Sequence, residues 1–402
     1  MECIENYWRS HTTTNENRSD CCGCAACRNI CPKQAIEMRQ DEEGFLYPFV
    51  DKHKCVSCGL CRGVCPILNI SGKRNEILSA YGGYWNDKER IKRCASGGIA
   101  TALSEYIIKQ HGIVYGVAYS DDLEYSHYSR VSTLDELDYL SGSKYIQSRK
   151  NTIYQDVQKD LTKGTTVLFI GCPCDIAAIK KYVKRDYECL VTCELVCMGT
   201  TSEKVLQHYK ESRERINKSR LININMRSKH YGWYVSAVEE KYENGKVTYA
   251  PFYSTDLGTA FLQFIRPSCL NCRFRNQNSS ADIKIGDFWG VSSKDDFWNT
   301  QGTSCVIVET EKGLQIITKM NKALHLTQVN NNRLNNNKSL FENPSEEYCK
   351  RREAFSELLI KDGLQQACKK CMTTTQRIKR LIPGSIQPLA KIIIHRVIDK
   401  KA

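Results

Sequence analysis

Two cysteine runs decide the fold of the N-terminal part: CCGCAACRNICP at residues 21–32 and CVSCGLCRGVCP at residues 55–66. Both contain the register C-x2-C-x2-C-x3-C-P. Three closely spaced thiolates in such a run hold three irons of one 4Fe-4S cubane. Zinc sites usually use two short C-x-x-C pairs instead, and a disulfide scaffold does not require two identical registers. The runs therefore predict two 4Fe-4S clusters.

The spacing is that of two-cluster bacterial ferredoxins, in which the fourth cysteine of each run ligates the other cluster. The predicted ligands of the first cluster are Cys21, Cys24, Cys27 and Cys65. The predicted ligands of the second cluster are Cys55, Cys58, Cys61 and Cys31.

Length and composition limit the class of protein. The chain has 402 residues, enough for two or three domains, and 22 cysteines. Residues 1–20 are polar and do not read as a signal peptide, and no stretch approaches the ~20 apolar residues of a transmembrane helix. Because iron–sulfur runs require reduced thiols, we expect a cytoplasmic protein.

The charge balance points to acidic partners. Lysine and arginine number 58 against 45 aspartates and glutamates, a formal net charge of +13. Such a surface suits ferredoxin, another acidic redox protein or a phosphorylated ligand. The basic residues are scattered and no nucleic-acid motif is present, so nucleic-acid binding is not expected.

The pattern beyond the runs predicts an α+β or α/β chain: a small two-cluster ferredoxin-like domain followed by a mixed α/β body. The predicted domains are residues 1–70, 77–155, 160–325 and a C-terminal extension at 326–402. Within the body, Ser96-Gly97-Gly98 precedes a predicted helix to Gln110, and 113–119 reads as a strand. A buried strand at 166–170 leads into Gly171-Cys-Pro-Cys-Asp175 and a helix predicted from Ile176, an arrangement that places functional loops at the end of a parallel strand.

The tail from Gln376 is basic and apolar, with Lys391-Ile-Ile-Ile-His-Arg near its end. Packing against the protein's own body is favoured over peripheral contact with a membrane surface. Cys368 and Cys371 form an isolated pair to which no metal is assigned.

Seven motifs in one order resemble the beta subunit family of coenzyme F-420 hydrogenase/dehydrogenase. They lie between about Ala80 and Thr310 and read ASGGI (95–99), GSKYIQS (142–148), GCPCDIA (171–177), ELVCMG (194–199), RSKHYGW (227–233), RPSCLNC (266–272) and DIKIGDFWG (282–290). An N-terminal two-cluster unit fused to this module also fits that family.

The resemblance implies a non-Rossmann FAD site beside iron–sulfur clusters. The implied flavin-binding residues are Ser96, Gly97, Gly98, Ser143, Lys144 and Gln147. Amides at a helix start suit a pyrophosphate, and a lysine near the flavin ring would stabilise the charge of the reduced ring.

A third 4Fe-4S cluster is also implied, held by the thiols at the family's cysteine positions, Cys174, Cys197, Cys269 and Cys272. The alternative is that these are buried core cysteines. The chain departs from the family at Cys172, where threonine is common, and at Met198, where histidine is common. Cys172 and Cys193 therefore compete as ligands, and no catalytic acid is assigned.

The function implied is an iron–sulfur flavoprotein oxidoreductase that passes electrons between ferredoxin-type clusters and FAD to a small-molecule hydride acceptor such as the deazaflavin coenzyme F-420. One alternative is a bacterial reductase of a sugar or another small metabolite, linked to surface polysaccharide synthesis. The other is an electron-transfer subunit without substrate chemistry of its own.

Overall fold

The N-terminal unit is a hairpin flanked by two short helices. The computed structural model describes residues 20–70, 76–275, 280–383 and 385–387. Strands β1 (Ile36–Gln40) and β2 (Leu46–Val50) pair antiparallel, and helices α1 (Ala26–Ile30) and α2 (Leu60–Gly63) each end a cysteine run. The hairpin therefore separates the two ligand loops in sequence and brings them together in space.

A mixed sheet forms the centre of the body. Its strands are β3 (Ser79–Trp85), β4 (Ile113–Tyr119), β5 (Ser126–Val131), β6 (Ser148–Arg149), β7 (Val167–Gly171), β8 (Leu190–Leu195), β12 (Ile283–Asp287), β13 (Ser304–Val308) and β14 (Leu324–Gln328), in spatial order β14-β3-β13-β12-β8-β7-β4-β5-β6. Strands β4, β7, β8 and β12 are mutually parallel. Their carboxyl ends consequently meet at one edge, where α/β sheets place ligands.

Helices flank this sheet and the second sheet described below. The helices of the body are, in chain order, α3 (Ile99–Lys109), α4 (Leu137–Leu140), α5 (Ile153–Thr162), α6 (Pro173–Val183), α7 (Glu203–Asn217), α8 (Asp256–Gln263), α9 (Pro267–Leu270), α10 (Glu311–Lys319), α11 (Glu346–Asp362), α12 (Leu364–Cys371) and α13 (Thr374–Leu381). Helices α3 and α10 pack on one face of the sheet. Helices α5 and α6 pack on the other, where Ala26 of the N-terminal unit joins the same core.

A second sheet connects the N-terminal unit to the C-terminal helices. Strands β9 (Leu221–Ser228), β10 (Ala237–Tyr242) and β11 (Val247–Pro251) are antiparallel. Their inner face shares one hydrophobic core with Phe45, with Phe264 and with Phe355 of α11. Both Phe45 and Phe355 stack on Phe264, so the N-terminal unit is packed into the body.

The predicted fold class is confirmed: a cysteine-rich N-terminal unit precedes a mixed α/β body. The strand predicted at 113–119 is found at those residues. Helix α6 begins at Pro173, three residues before the predicted start, because proline suits the first helical turn and Asp175 adds an acid there.

The C-terminal part is integrated into the same body. Strand β14 pairs with β3, so the predicted extension from residue 326 begins within a strand of the central sheet. In the described ranges, every helix is too short or too polar to cross a bilayer. The segment from Lys391 lies outside the described residues.

Candidate functional site

The two N-terminal ligand loops have the same backbone conformation. The residues on either side of the second cysteine have positive φ in both runs, 67° at Gly23 and 57° at Ala25, then 51° at Ser57 and 76° at Gly59. A left-handed conformation costs a residue with a side chain roughly 1–2 kcal/mol. Such strain persists where the surrounding structure requires it, typically at binding sites, so the repeated conformation fits two equivalent cluster loops.

The thiols predicted for the first cluster lie together. Cys27 is surrounded by the thiols of Cys21, Cys65 and Cys61, and Cys24 interacts with Cys65 and Cys27. Burial and, to a smaller extent, the neighbouring thiols of Cys21 and Cys61 raise the pKa of Cys65 to about 11. Burial disfavours unpaired thiolates, so iron bound among these four sulfurs would stabilise their negative charge.

The thiols predicted for the second cluster line one small cavity of about 20 Å³. Cys31 comes from the first run and the other three, Cys55, Cys58 and Cys61, come from the second. The backbone N–H of Ala35 donates to the Cys31 sulfur at 3.3 Å. The structure thus brings a cysteine of one run to the loop of the other, as the two-cluster pattern requires; the individual ligand assignments remain predictions.

A cavity of about 380 Å³ opens at the carboxyl edge of the central sheet. Ligand pockets of this kind span roughly 300–1,000 Å³. Of the residues predicted for the flavin, five line the cavity: Ser96, Gly98, Ser143, Lys144 and Gln147. Gly97 is packed behind the wall, where its N–H donates to Ser304 Oγ at 3.0 Å.

The start of helix α3 faces this cavity. Gly98 adopts φ 81°, which a glycine accommodates without strain, and no side chain of the described residues caps the helix. The first residues of the helix, Ile99, Ala100 and Thr101, line the cavity. Their N–H groups have no partner within the helix and present partial positive charge to an anion.

Lys144 lies on the wall of the same cavity. Its ammonium group donates to the carbonyl oxygens of Tyr139 at 3.1 Å and of Ser141 at 2.9 Å. Burial lowers the pKa of Lys144 to about 7, although part of the side chain faces the cavity. The lysine is therefore easily deprotonated until an anion is bound beside it.

Gln147 faces the N-terminal unit. Its Oε1 accepts from the N–H of Leu46 at 3.1 Å and from Arg266 at 2.8 Å, and its Nε2 lies 3.5 Å from the carbonyl oxygen of Gly23. These bonds occupy its amide, so its predicted contact with a flavin has less support than that of Lys144.

Arg266 is the buried cation of this junction. It is 1% exposed, and its Nε and Nη2 donate to the carbonyl oxygens of Cys21 at 2.7 Å and Leu46 at 3.0 Å. Against the opposing effect of its burial, Tyr47 and then the thiols of Cys21, Cys22 and Cys269 raise the pKa of Arg266. A buried charge is tolerated when it is fully hydrogen-bonded, and two backbone carbonyls and the amide oxygen of Gln147 accept from this guanidinium.

An ion pair between Arg227 and Asp287 also lines the cavity and was missed by sequence reasoning. Arg227 contacts Asp287 at 3.0 Å and Tyr145 Oη at 3.0 Å, and Asp287 also accepts from Trp233. Arg227 lowers the pKa of Asp287 against the opposing effect of burial, so this carboxylate stays ionised. Arg227 and Asp287 both lie in the motifs quoted in the sequence analysis, and this position is the signal that could have identified them as site residues.

Buried charges on three neighbouring strands form another part of the wall. The ammonium group of Lys284 lies 2.8 Å from Glu309 and 3.6 Å from Glu194, and all three side chains are almost fully buried. They line the cavity. Sequence reasoning missed this group because Lys284 stands inside an otherwise apolar strand pattern.

A group of thiols completes the cavity. Four predicted ligands of a third cluster line it, namely Cys174, Cys197, Cys269 and Cys272, together with the competitor Cys172. The other competitor, Cys193, is fully buried in the core on the α3 face of the sheet. The structure thus brings the four predicted thiols to one cavity and places Cys193 away from it; their role as ligands remains a prediction.

Cys22 was missed by sequence reasoning. It lies beside a predicted ligand but outside the repeated register, and it lines the large cavity. Its thiol interacts with those of Cys24 and Cys174. Cysteines of the first ligand loop and of the body therefore lie beside each other.

Within the described ranges, no three His, Cys, Asp or Glu side chains converge on a site for a single metal ion. The four thiolates of a cubane bind four different irons and need not converge on one point.

Comparisons with known proteins fit these observations. Residues 164–333 match the family described as the C terminus of the coenzyme F420 hydrogenase/dehydrogenase beta subunit, and residues 20–68 match the 4Fe-4S dicluster domain. A chain in the xenon-derivatised F420-reducing [NiFe] hydrogenase complex from Methanosarcina barkeri is 19% identical, with a TM-score of 0.45, over 74% of this chain and 92% of that one. No curated protein matches the sequence. The family resemblance inferred from the motifs is confirmed.

Proposed function

We propose that this iron–sulfur protein, a relative of the F420 hydrogenase/dehydrogenase beta subunit, binds FAD in its large cavity. It would carry electrons between the N-terminal clusters and a small-molecule hydride acceptor. Flavin supplies the conversion between one-electron transfer at clusters and two-electron hydride chemistry. The chain's own residues bind and orient the cofactor.

The proximity of thiols at the junction carries the proposal. Cys24 belongs to the first predicted cluster, and through Cys22 its sulfur reaches Cys174 on the cavity wall. Arg266 and Gln147 hold the N-terminal unit against this wall with buried hydrogen bonds. This arrangement supports short transfer steps from the N-terminal unit to a ligand in the cavity.

The charged and polar groups that line the cavity suit FAD. The uncapped start of α3 offers N–H groups to a pyrophosphate. The ammonium group of Lys144, once protonated, would offset negative charge on a reduced flavin ring. Arg227 is paired with Asp287, so its positive charge is largely neutralised and its main contribution is a fixed hydrogen-bonding surface on the cavity wall.

The proposed clusters fit the donor sets. All 21 cysteines of the described ranges are free thiols, and the sulfur of Cys31 accepts a backbone N–H bond, as cluster ligands commonly do. A third cluster would use thiols of the cavity wall, between the N-terminal unit and the flavin. The expected acceptor is a deazaflavin such as coenzyme F420, from the family description alone.

Anaerobic reconstitution with iron, sulfide and FAD tests the proposal. We expect at least about eight irons and one FAD per chain, since each cubane carries four irons. Reduced ferredoxin should then bleach the flavin absorbance, and adding coenzyme F420 should restore it. Absence of bound FAD would refute the proposal. Bleaching without reoxidation by any of a panel of deazaflavin, nicotinamide and sugar acceptors would favour an electron-transfer subunit.

A further inference from the structure

We propose that helix α13 and the turn after it form a surface that docks on a membrane with anionic lipid headgroups. This tail surface consists of Arg377, Ile378, Lys379, Leu381 and Ile386. The inference goes beyond the proposed function and does not depend on it.

The polar side of α13 faces the body. Gln376 is buried, and its Oε1 lies 3.4 Å from Nε2 of Gln263 in α8. One turn later, Arg380 donates to the carboxylate of Asp256 at 2.6 Å and to the hydroxyl of Thr259 at 3.1 Å. A helix on the surface of a globular protein normally turns its apolar stripe toward the core. Helix α13 is therefore oriented the opposite way, with polar bonds holding it to α8.

The apolar residues of the tail surface are exposed. Ile378 is 55% exposed and Leu381 is 84% exposed, and residues three positions apart are neighbours on one side of a helix. Nε2 of Gln387 donates to the carbonyl oxygen of Lys379 at 2.7 Å. This bond folds the turn back on the helix and keeps Ile386, which is 51% exposed, close to the helix end. Exposed apolar groups that lie together mark a site of interaction.

The charge of the tail selects what covers this surface. Residues 376–402 contain seven Lys or Arg and one Asp, a net charge of +6, and Arg377 and Lys379 are exposed beside the apolar residues. A second copy of the chain, or the rest of its own basic tail, would bring like charges together, which is unfavourable. An anionic membrane supplies negative headgroups to the basic side chains and an apolar boundary to Ile378 and Leu381.

The tail surface adjoins the large cavity. Nε2 of Gln387 also donates to Oγ of Ser254 at 3.1 Å. The neighbouring residue, Tyr253, lines the cavity and is partly exposed. Docking would therefore place this part of the cavity wall close to the lipid headgroups.

Cosedimentation of the full-length protein with lipid vesicles tests the proposal. The protein would be reconstituted anaerobically with iron and sulfide, then mixed with vesicles of equal parts phosphatidylcholine and phosphatidylglycerol, or with phosphatidylcholine vesicles alone. The apolar variant is Ile378→Ser with Leu381→Ser. The basic variant is Arg377→Gln with Lys379→Gln, which leaves the ion pair of Arg380 with Asp256 intact.

A matched control carries Ile216→Ser and Ile360→Ser, two exposed isoleucines on α7 and α11. It removes a similar amount of exposed apolar surface outside the tail.

We expect the wild type and the control to bind the anionic vesicles but not the neutral ones, and to dissociate as salt screens the attraction. The apolar variant should bind at least about tenfold more weakly, because its two side chains no longer bury apolar area. The basic variant should bind roughly 25-fold more weakly at low salt, at about fivefold for each basic residue.

A wild type that stays in the supernatant with the anionic vesicles overturns the proposal, and so does an apolar variant that binds as tightly as the wild type. Self-association of the wild type that the apolar variant abolishes, without vesicle binding, would assign the surface to a second copy. A Tm of the apolar variant below that of the control, again without vesicle binding, would show that the chain covers this surface itself. Iron and FAD content are separate measurements, so each of these failures leaves the proposed function standing.

Discussion

Replacing Arg266 with methionine should loosen the contact between the N-terminal unit and the body. Arg266 is 1% exposed and is the donor to two buried backbone carbonyls, those of Cys21 and Leu46. Methionine fills similar space but donates no hydrogen bond. A buried acceptor without its partner costs roughly 1–3 kcal/mol, so two of them give about 4 kcal/mol. At 1.4 kcal/mol per tenfold, the junction should open about 1,000-fold more often.

Hydrogen exchange measured anaerobically on the cluster-loaded protein reads this opening directly. The amide of Leu46 is the reporter, because its N–H is bonded across the junction to Gln147. The Arg266→Lys variant keeps the positive charge and one donor group, so the exchange rate of its Leu46 amide should lie between those of the wild type and Arg266→Met. Arg39→Met is the matched control, because Arg39 pairs with Glu37 on the surface and such pairs contribute at most about 1 kcal/mol. If Leu46 in Arg266→Met exchanges at the wild-type rate, Arg266 does not hold the junction and the reasoning is wrong.

Three further predictions concern the cavity. Burial lowers the pKa of Lys144 to about 7, so its charge is present below pH 7 and lost above it. Fluorescence titration should therefore show that the affinity for FAD falls as the pH rises from 6 to 8. The Lys144→Met variant should bind FAD more weakly at pH 6 and lose this pH dependence. The Thr101→Asp variant carries a negative charge at the start of α3 and should bind FAD about tenfold or more weakly, with unchanged iron content. The Thr101→Asn variant, whose new side chain has the shape of aspartate without its charge, should bind FAD nearly as the wild type does. Equal affinities of the two variants for FAD would exclude a pyrophosphate at this helix start. The Lys284→Met variant leaves two buried carboxylates without their cation, and anaerobic urea titrations should show a free energy of unfolding lower by about 3–5 kcal/mol. Adding Glu309→Gln to this variant should restore part of the lost stability. The control is the more exposed Lys312→Met, for which a loss below about 1 kcal/mol is expected; a loss this small in Lys284→Met would contradict the prediction.

Local patterns in the sequence predicted the parts of the fold that depend on neighbouring residues. The cysteine register predicted the two ligand loops because a short loop around a cubane permits few spacings, and both loops adopt the same left-handed conformation on either side of Cys24 and Cys58. Apolar periodicity placed α3 and β4 within a residue of their bounds. The rule for parallel strands also placed the Cys172–Cys174 loop at the edge where the cavity lies.

Tertiary structure alone decided which side chains meet across long distances in the chain. Arg266 bonds to a carbonyl 245 residues away, and the thiol of Cys22 lies beside that of Cys174. No spacing rule encodes such contacts, because they depend on how the N-terminal unit packs into the body. For the same reason the sequence left Cys172 and Cys193 as competitors of Cys174, whereas the structure separates Cys193 from the other two: Cys193 is buried in the core, and Cys172 and Cys174 both line the cavity.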